Sequence, residues 1–277
     1  MDKEQGYITI ARCNNNTDLL EVSLLANSIK LADPNREVCL VTNNLDKVPD
    51  NVSKLFDYLV ELPFGILENE DIDVNLWQIY HCTPFNENIF LRKQCLLLDN
   101  VDGIWDNCSN YDLLFPTKTV NFKSEQKDFL YYFRCHEKNN FSKNHTDIFY
   151  FKKSEYASEF FKVLDPVLQN WRSVYINLVK ENKPNYFNLN LLVNIALKMF
   201  GHTDIHSDHF LYTFLSLENV DIDDHDLPED WTRYLSCWVK DNKVKVSNHR
   251  LANFVYYNSK TFIDEEVLND FGIYQSS

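Results

Sequence analysis

The chain has 277 residues, of which 44% are hydrophobic and 14% aromatic, enough apolar material for a substantial core and too much for a disordered segment. A formal net charge of −14 speaks against nucleic-acid binding spread over the whole surface, which needs a basic face to displace counterions. The start, MDKEQGYITIARC, lacks a charged segment followed by an apolar one, and no apolar run reaches the roughly 18–20 residues of a membrane span. The expectation is one soluble domain over residues 1–277, away from membranes and cytoplasmic.

The first sixty residues read as a βαβ unit. YITIARC (7–13) is a strand pattern, and NNNTD (14–18) is a polar loop in which Asn16 or Thr17 can cap the helix that follows. Leu19, Leu20, Ser23, Leu24, Asn27 and Leu31 keep helical spacing until Asp33-Pro34. EVCLVT (37–42) is a short continuous apolar run of the kind buried in parallel sheets, and DYLVEL (57–62) is a further strand. Strands separated by helices predict an α/β domain with a mostly parallel sheet.

VNLWQIYH (74–81) predicts an aromatic helix, and NIFLRKQCLLLDN (88–100) a buried strand ending in a turn, with Arg92, Lys93 and Gln94 set into its middle. DGIWDNCSNYDLLFP reads as a helical turn and a short strand, and DIFYFKK (147–153) as another strand. Ser154 caps a long helix carrying Tyr156, Phe160, Phe161 and Leu164 on one face; two more helices follow, the last closed by Gly201. RYLSCWVKDNKVKVS predicts a hairpin around Asp241-Asn242, and ENVDIDDHDLPED (218–230) an acidic loop. The seven cysteines form no C-x-x-C pair and lie mostly in apolar runs, which favours buried free thiols over disulfides or zinc. There is neither a G-x-G-x-x-G nor a G-x-x-x-x-G-K-[ST] motif, so dinucleotide-oxidoreductase and P-loop readings fail.

Taken together, GYITIARCNNNTDLLEVSLLANSIK, EVCLVTNN, WQIYHCTPFNENIFL, DIFYFKKSEYASEFF and WTRYLSCWVKDNKVKVSN resemble the single-domain GT-A glycosyltransferases, specifically a group common in tailed bacteriophages and distantly glycogenin-like. The resemblance implies a GT-A-like nucleotide-binding fold with a central, mostly parallel sheet and helices on both faces. It also implies transfer of a sugar from a nucleotide-sugar to an acceptor (a modified DNA base, a glycan or a protein), in the host cytoplasm for a phage protein. In that family the strand after PF-x-E-x-I-x-L ends in an Asp-X-Asp-like motif that binds a divalent metal bridging the donor phosphates. Here the matching positions are Arg92, Lys93 and Gln94. The family's second metal contact, a histidine, is matched by Tyr256; a Ser-Gly pair by Thr146 and Asp147; and an aspartate by Asn188 or Asn190.

Three readings stay open. Arg92 and Lys93 replace the metal as fixed cations for the leaving diphosphate, pointing into a solvated cleft. Alternatively, the site has decayed and a catalytically inactive GT-A-like binding or host-interaction protein remains. Or the three polar residues mark an unrelated edge strand. The first reading gives no divalent metal, with Arg92 and Lys93 on the diphosphate and Asp147 or Asp99 on the acceptor side. Nucleotide contacts then fall to Asn14, Asn15, Asn16 and Asp18 after the first strand, Thr42, Asn43 and Asn44 after the second, and Gln94, because ligands dock at the carboxyl ends of such sheets. Asp99 with Asp102, and His202 with His206 in GHTDIHSDH, are weaker metal candidates; Asx turns explain the first pair as well. Trp77, Tyr80 and Phe85 suit core packing better than stacking on a ligand.

Overall fold

The computed structural model describes residues 3–65, 71–126, 132–203, 210–215, 231–233, 235–259 and 261–273. β1 (Lys3–Ala11), β2 (Glu37–Thr42) and β3 (Tyr58–Glu61) run parallel, linked by α1 (Asn16–Ala32) and the short α2 (Asp50–Ser53). A 3-10 segment, Ile72–Gln78, and α3 (Ile79–Cys82) lead into β4 (Phe85–Leu91), parallel to β1 on its other side. The chain continues through β5 (Cys95–Leu97), α4 (Asp102–Cys108), β6 (Leu113–Leu114), α5 (Arg134–Asn139) and β7 (Ile148–Lys152). Then come α6 (Glu155–Gln169), α7 (Trp171–Leu178), α8 (Leu189–Phe200) and β8 (Thr213–Phe214). The last described elements are β9 (Cys237–Lys240), β10 (Lys243–Val246), β11 (His249–Arg250), β12 (Phe254–Tyr256) and α9 (Glu265–Asp270).

The main sheet has the order β3-β2-β1-β4-β7-β6, parallel from β3 to β4 and antiparallel at β7 and β6; β5-β12-β8 and β11-β10-β9 form two smaller sheets. Period-two alternation along the strands feeds two cores, one on each face. Ile8, Ile10, Cys39, Val41 and Phe90 face a layer built from α3, α6, α7 and α8. Tyr7, Val38, Leu40, Ile89 and Leu91 face α1, α4 and the small sheet. Close packing inside the sheet explains Gly6: a Cβ there would lie 2.4 Å from the ring of Phe85, which is fully buried.

Several local expectations change. The cap of α1 is Asn15, whose Oδ1 accepts from the backbone N–H of Thr17 and Asp18. VNLWQIYH is mostly 3-10, opened by Asp71 accepting from Asp73 N–H, with a single α turn at its end. Residues 88–100 are not one strand. β4 lies inside the main sheet between β1 and β7, which removes the edge-strand reading, and β5 belongs to the small sheet. Arg92–Gln94 is the turn between them, closed by Cys95 N–H donating to Arg92 C=O at 2.9 Å. The long α6 buries Phe160, Phe161 and Leu164 but leaves Tyr156 40% exposed. The predicted hairpin is present, with Asp241 and Asn242 both at positive φ, 53° and 56°. All seven cysteines are free thiols. Among the described residues no helix is long and apolar enough to cross a membrane. The acidic loop 218–230 and His206 lie outside the described residues.

Candidate functional site

The carboxyl ends of β1, β2 and β4 point the same way, and the segments leaving them meet. Asn43 Oδ1 accepts from Cys13 N–H at 2.9 Å, joining the loops after β1 and β2. Lys93 Nζ reaches back to Asp18 Oδ1 and lies 3.8 Å from Glu21 Oε2, both in the first turns of α1. Gln94 Nε2 donates to the same Glu21 oxygen at 2.9 Å. Arg12, Asn14, Asn15, Asn16 and Thr17 line an open depression of about 480 Å³ beside this cluster.

Arg92 holds the other half of the site. Its Nη2 pairs with Asp73 Oδ2 at 2.7 Å, and its Nη1 lies 3.4 Å from Asp147 Oδ1. Tyr212 O–H donates to the second oxygen of Asp147 at 3.2 Å. Tyr256, on β12 beside the 92–95 turn, is close enough to feel the charges of Asp147 and Arg92. Burial alone would lower Arg92, but Asp73, Tyr256 and Asp147 more than offset it, so the guanidinium stays charged well above its ordinary range. Burial pushes up the carboxyls of Asp73, Asp147 and Glu21 against the opposing pull of Arg92 or Lys93. The unit therefore contains two cations set among four carboxylates, Asp18, Glu21, Asp73 and Asp147.

This geometry corrects the expected exposure of several residues. Arg92 and Lys93 do not extend freely into a solvated cleft; their side chains are 23% and 17% exposed and already paired. Asp147 has no exposed surface and both its oxygens are engaged, so in this state it touches no acceptor. Thr42 is likewise fully buried, its hydroxyl donating to Asn43 Oδ1, and acts as a support for that loop. Asp99 pairs with Arg250 and Asp102 with Arg36, so the two carboxylates serve separate ion pairs; the Asx turn between them is made by Asn100, whose Oδ1 accepts from Asp102 N–H. Asn14 and Asn16 are exposed at the depression, and Asn44 is half-buried. Asn188 caps α8, and Asn190 donates to Asn144 C=O and Thr146 Oγ1 in a buried amide network. His202 shares a hydrogen bond with Tyr156 at 2.8 Å. Trp77 stacks on Phe64, and Tyr80 O–H donates to Ser154 C=O, in keeping with packing roles.

Asp73, Glu21 and Tyr212 were not singled out by sequence as site residues. Glu21 stands three residues after Asp18 on α1, a spacing that puts both acids on one helical face. Asp73 carries no comparable signal, being one of four acids in the stretch ENEDID (68–73).

The acidic side chains of the site already have cationic partners. A metal needs free oxygen ligands, and the carboxylates gathered here already surround the Arg92 and Lys93 head groups. Among the described residues no group of three or more His, Cys, Asp or Glu side chains forms a metal-binding set.

Comparison with solved structures agrees with the topology. The galactosyltransferase LgtC, solved in complex with donor and acceptor sugar analogs, is similar over 98% of this chain and 97% of its own, with a TM-score of 0.52 and 10% identity. The glycosyltransferase GlyE of Streptococcus pneumoniae is similar over 93% of this chain, with a TM-score of 0.49 and 8% identity; the chain spans 56% of GlyE. No protein-family model matches the chain, and no characterised protein matches it in sequence. At these identities the likeness is one of fold, and the fold is that of the GT-A-type glycosyltransferases.

Proposed function

We propose that the protein transfers a sugar from a nucleotide-sugar to an acceptor without a divalent metal. The observation that carries this reading is the placement of Arg92 and Lys93 at the carboxyl ends of the parallel strands of a GT-A-like sheet, beside a polar depression. As the C1–O bond to the diphosphate breaks, about two negative charges develop on the leaving group, and fixed cations stabilise them by the same electrostatics as a metal. Lys93, a point charge on a flexible stem, would exchange Asp18 for a phosphate oxygen, whereas Arg92 stays clamped between Asp73 and Asp147. Arg12, Asn14 and Asn16 would receive the nucleoside side of the donor. The kinship with phage-type enzymes, and hence the choice among a modified base, a glycan and a protein as acceptor, rests on the sequence segments alone.

A second reading, a binding protein that performs no transfer, is favoured by the same ion pairs. Four acidic side chains gather around the two cations, so a dianionic donor meets cations that are already neutralised. Thermal shift with a panel of nucleotide-sugars, in chelator and in Mn²⁺, followed by assay of donor cleavage, separates the two, since a ligand stabilises only the state it binds. Stabilisation of equal size in chelator, with release of free nucleoside diphosphate, supports transfer. Stabilisation without cleavage supports binding alone, and a shift seen only with Mn²⁺ overturns the metal-free site.

A further inference from the structure

The stretch KDNKVKVSNHR (240–250) belongs to a three-stranded sheet whose two faces differ in chemistry. Lys240 stands opposite Lys243, Trp238 opposite Lys245, and Lys245 opposite Arg250. Alternation along the strands puts these five side chains on one face. Val239, Val244 and Val246 turn to the other face and are buried. Residues 237–250 hold three Lys, one Arg and one Asp, a net +3; the chain as a whole carries −14, so the remainder carries −17. Arg250 is paired with Asp99. Among the described residues, no carboxylate pairs with Lys240, Lys243 or Lys245. Lys245 lies 4.6 Å from the ring centroid of Trp238, which remains 39% exposed.

Beyond the Arg250–Asp99 pair and the Lys245–Trp238 contact, this face adds little to folding. Like charges directly opposite each other weaken a hairpin, and an outward tryptophan adds no core. Lysines two residues apart on a strand stand about 6.6 Å apart, twice the rise per residue. With an aromatic ring among them, they match a polyanion that carries flat bases: cations follow the backbone while the ring stacks on a base. A duplex hides its base faces and leaves Trp238 nothing to stack on. An anionic membrane surface rewards several apolar side chains entering the lipid, and Trp238 is the one large ring among these five.

We propose that the outer face of the β9–β10–β11 sheet binds single-stranded nucleic acid, with Lys240, Lys243 and Lys245 on phosphates and Trp238 on a base. This surface is independent of the sugar-transfer reading. The test is fluorescence anisotropy of a labelled 20-nucleotide oligothymidylate with the full chain. Three neutralised phosphates give a log–log salt slope of about −2 for a single strand, so affinity should fall about twentyfold between 50 and 200 mM NaCl. Trp238→Ala should weaken binding at least about fivefold, with Trp238→Phe largely retaining it. The triple variant Lys240→Ala, Lys243→Ala, Lys245→Ala should lose most of the affinity and of the salt dependence, with an unchanged circular dichroism spectrum. No binding at 50 mM salt, unchanged affinity in both the Trp238→Ala and the triple variant, or tighter binding to a duplex of the same length overturns the proposal. So does binding to phosphatidylserine vesicles without binding to the oligonucleotide.

Discussion

At the scale of single residues, the ion pairs of Arg92 decide how the site responds to change. Removing one partner of a buried pair leaves an uncompensated charge, at a cost of about 3–5 kcal/mol. Arg92→Ala abandons both Asp73 and Asp147, so urea denaturation should show a loss in that range. Adding Asp73→Asn and Asp147→Asn should recover part of it, because the stranded charges are gone. A loss below about 1 kcal/mol in the single variant would mean that the two carboxylates are not charged in the fold.

His145 and His136 supply a second residue-scale prediction. Burial holds them down at about 3 and about 4, against about 6.5 in an unfolded chain. Below that value the unfolded state binds more protons, so the stability they contribute is full above about pH 6.5 and falls toward pH 4, by about 1.4 kcal/mol per unit for each ring. The raised carboxyls of Glu21, Asp73 and Asp147 have the opposite sign, gaining stability as pH falls. The comparison of wild type with His145→Gln isolates the histidine. Wild type should lose about 2 kcal/mol relative to the variant between pH 7 and pH 5, and parallel pH profiles would refute the assignment.

At the scale of elements, the start of α1 is both a helix end and the rim of the candidate site. Asn15 Oδ1 satisfies two otherwise orphaned N–H groups there. Asn15→Ala should lower stability by about 1 kcal/mol, and Asn15→Asp should retain it. Asn15 also lines the depression, so nucleotide-sugar affinity measured by thermal shift should drop for Ala. Helix and strand types were largely legible at this scale, because burial on one face writes a period into the chain: α6, α8, β2 and β7 fall close to where spacing puts them. The run 88–100 was misread because hydrophobicity reports burial and not which sheet a strand joins. β4 and β5 are equally apolar yet pair with different partners.

At the scale of the whole molecule, the core is held without covalent links. Burial pushes Cys82 and Cys108 up to about 12, and only Cys135 and Cys237 are partly exposed. A thiol reagent at pH 8 should modify no more than two cysteines in the native protein and all seven in denaturant, and the melting temperature should not change with dithiothreitol. A midpoint that falls under reduction would reveal a disulfide and a different core.

What the chain determined by itself were the quantities that depend on neighbours in sequence: the periods of strands and helices, the αL cap at Gly201, the Asp241-Asn242 turn, and the concentration of lysines after Trp238. It also put Arg92 and Lys93 directly after an apolar strand. Tertiary structure alone decided the state of those cations. Their counter-charges come from α1, from the 3-10 segment and from the start of β7, between 19 and 75 residues away along the chain. Electrostatic pairing depends on distance in space, and no local pattern records which carboxylates a buried guanidinium will meet.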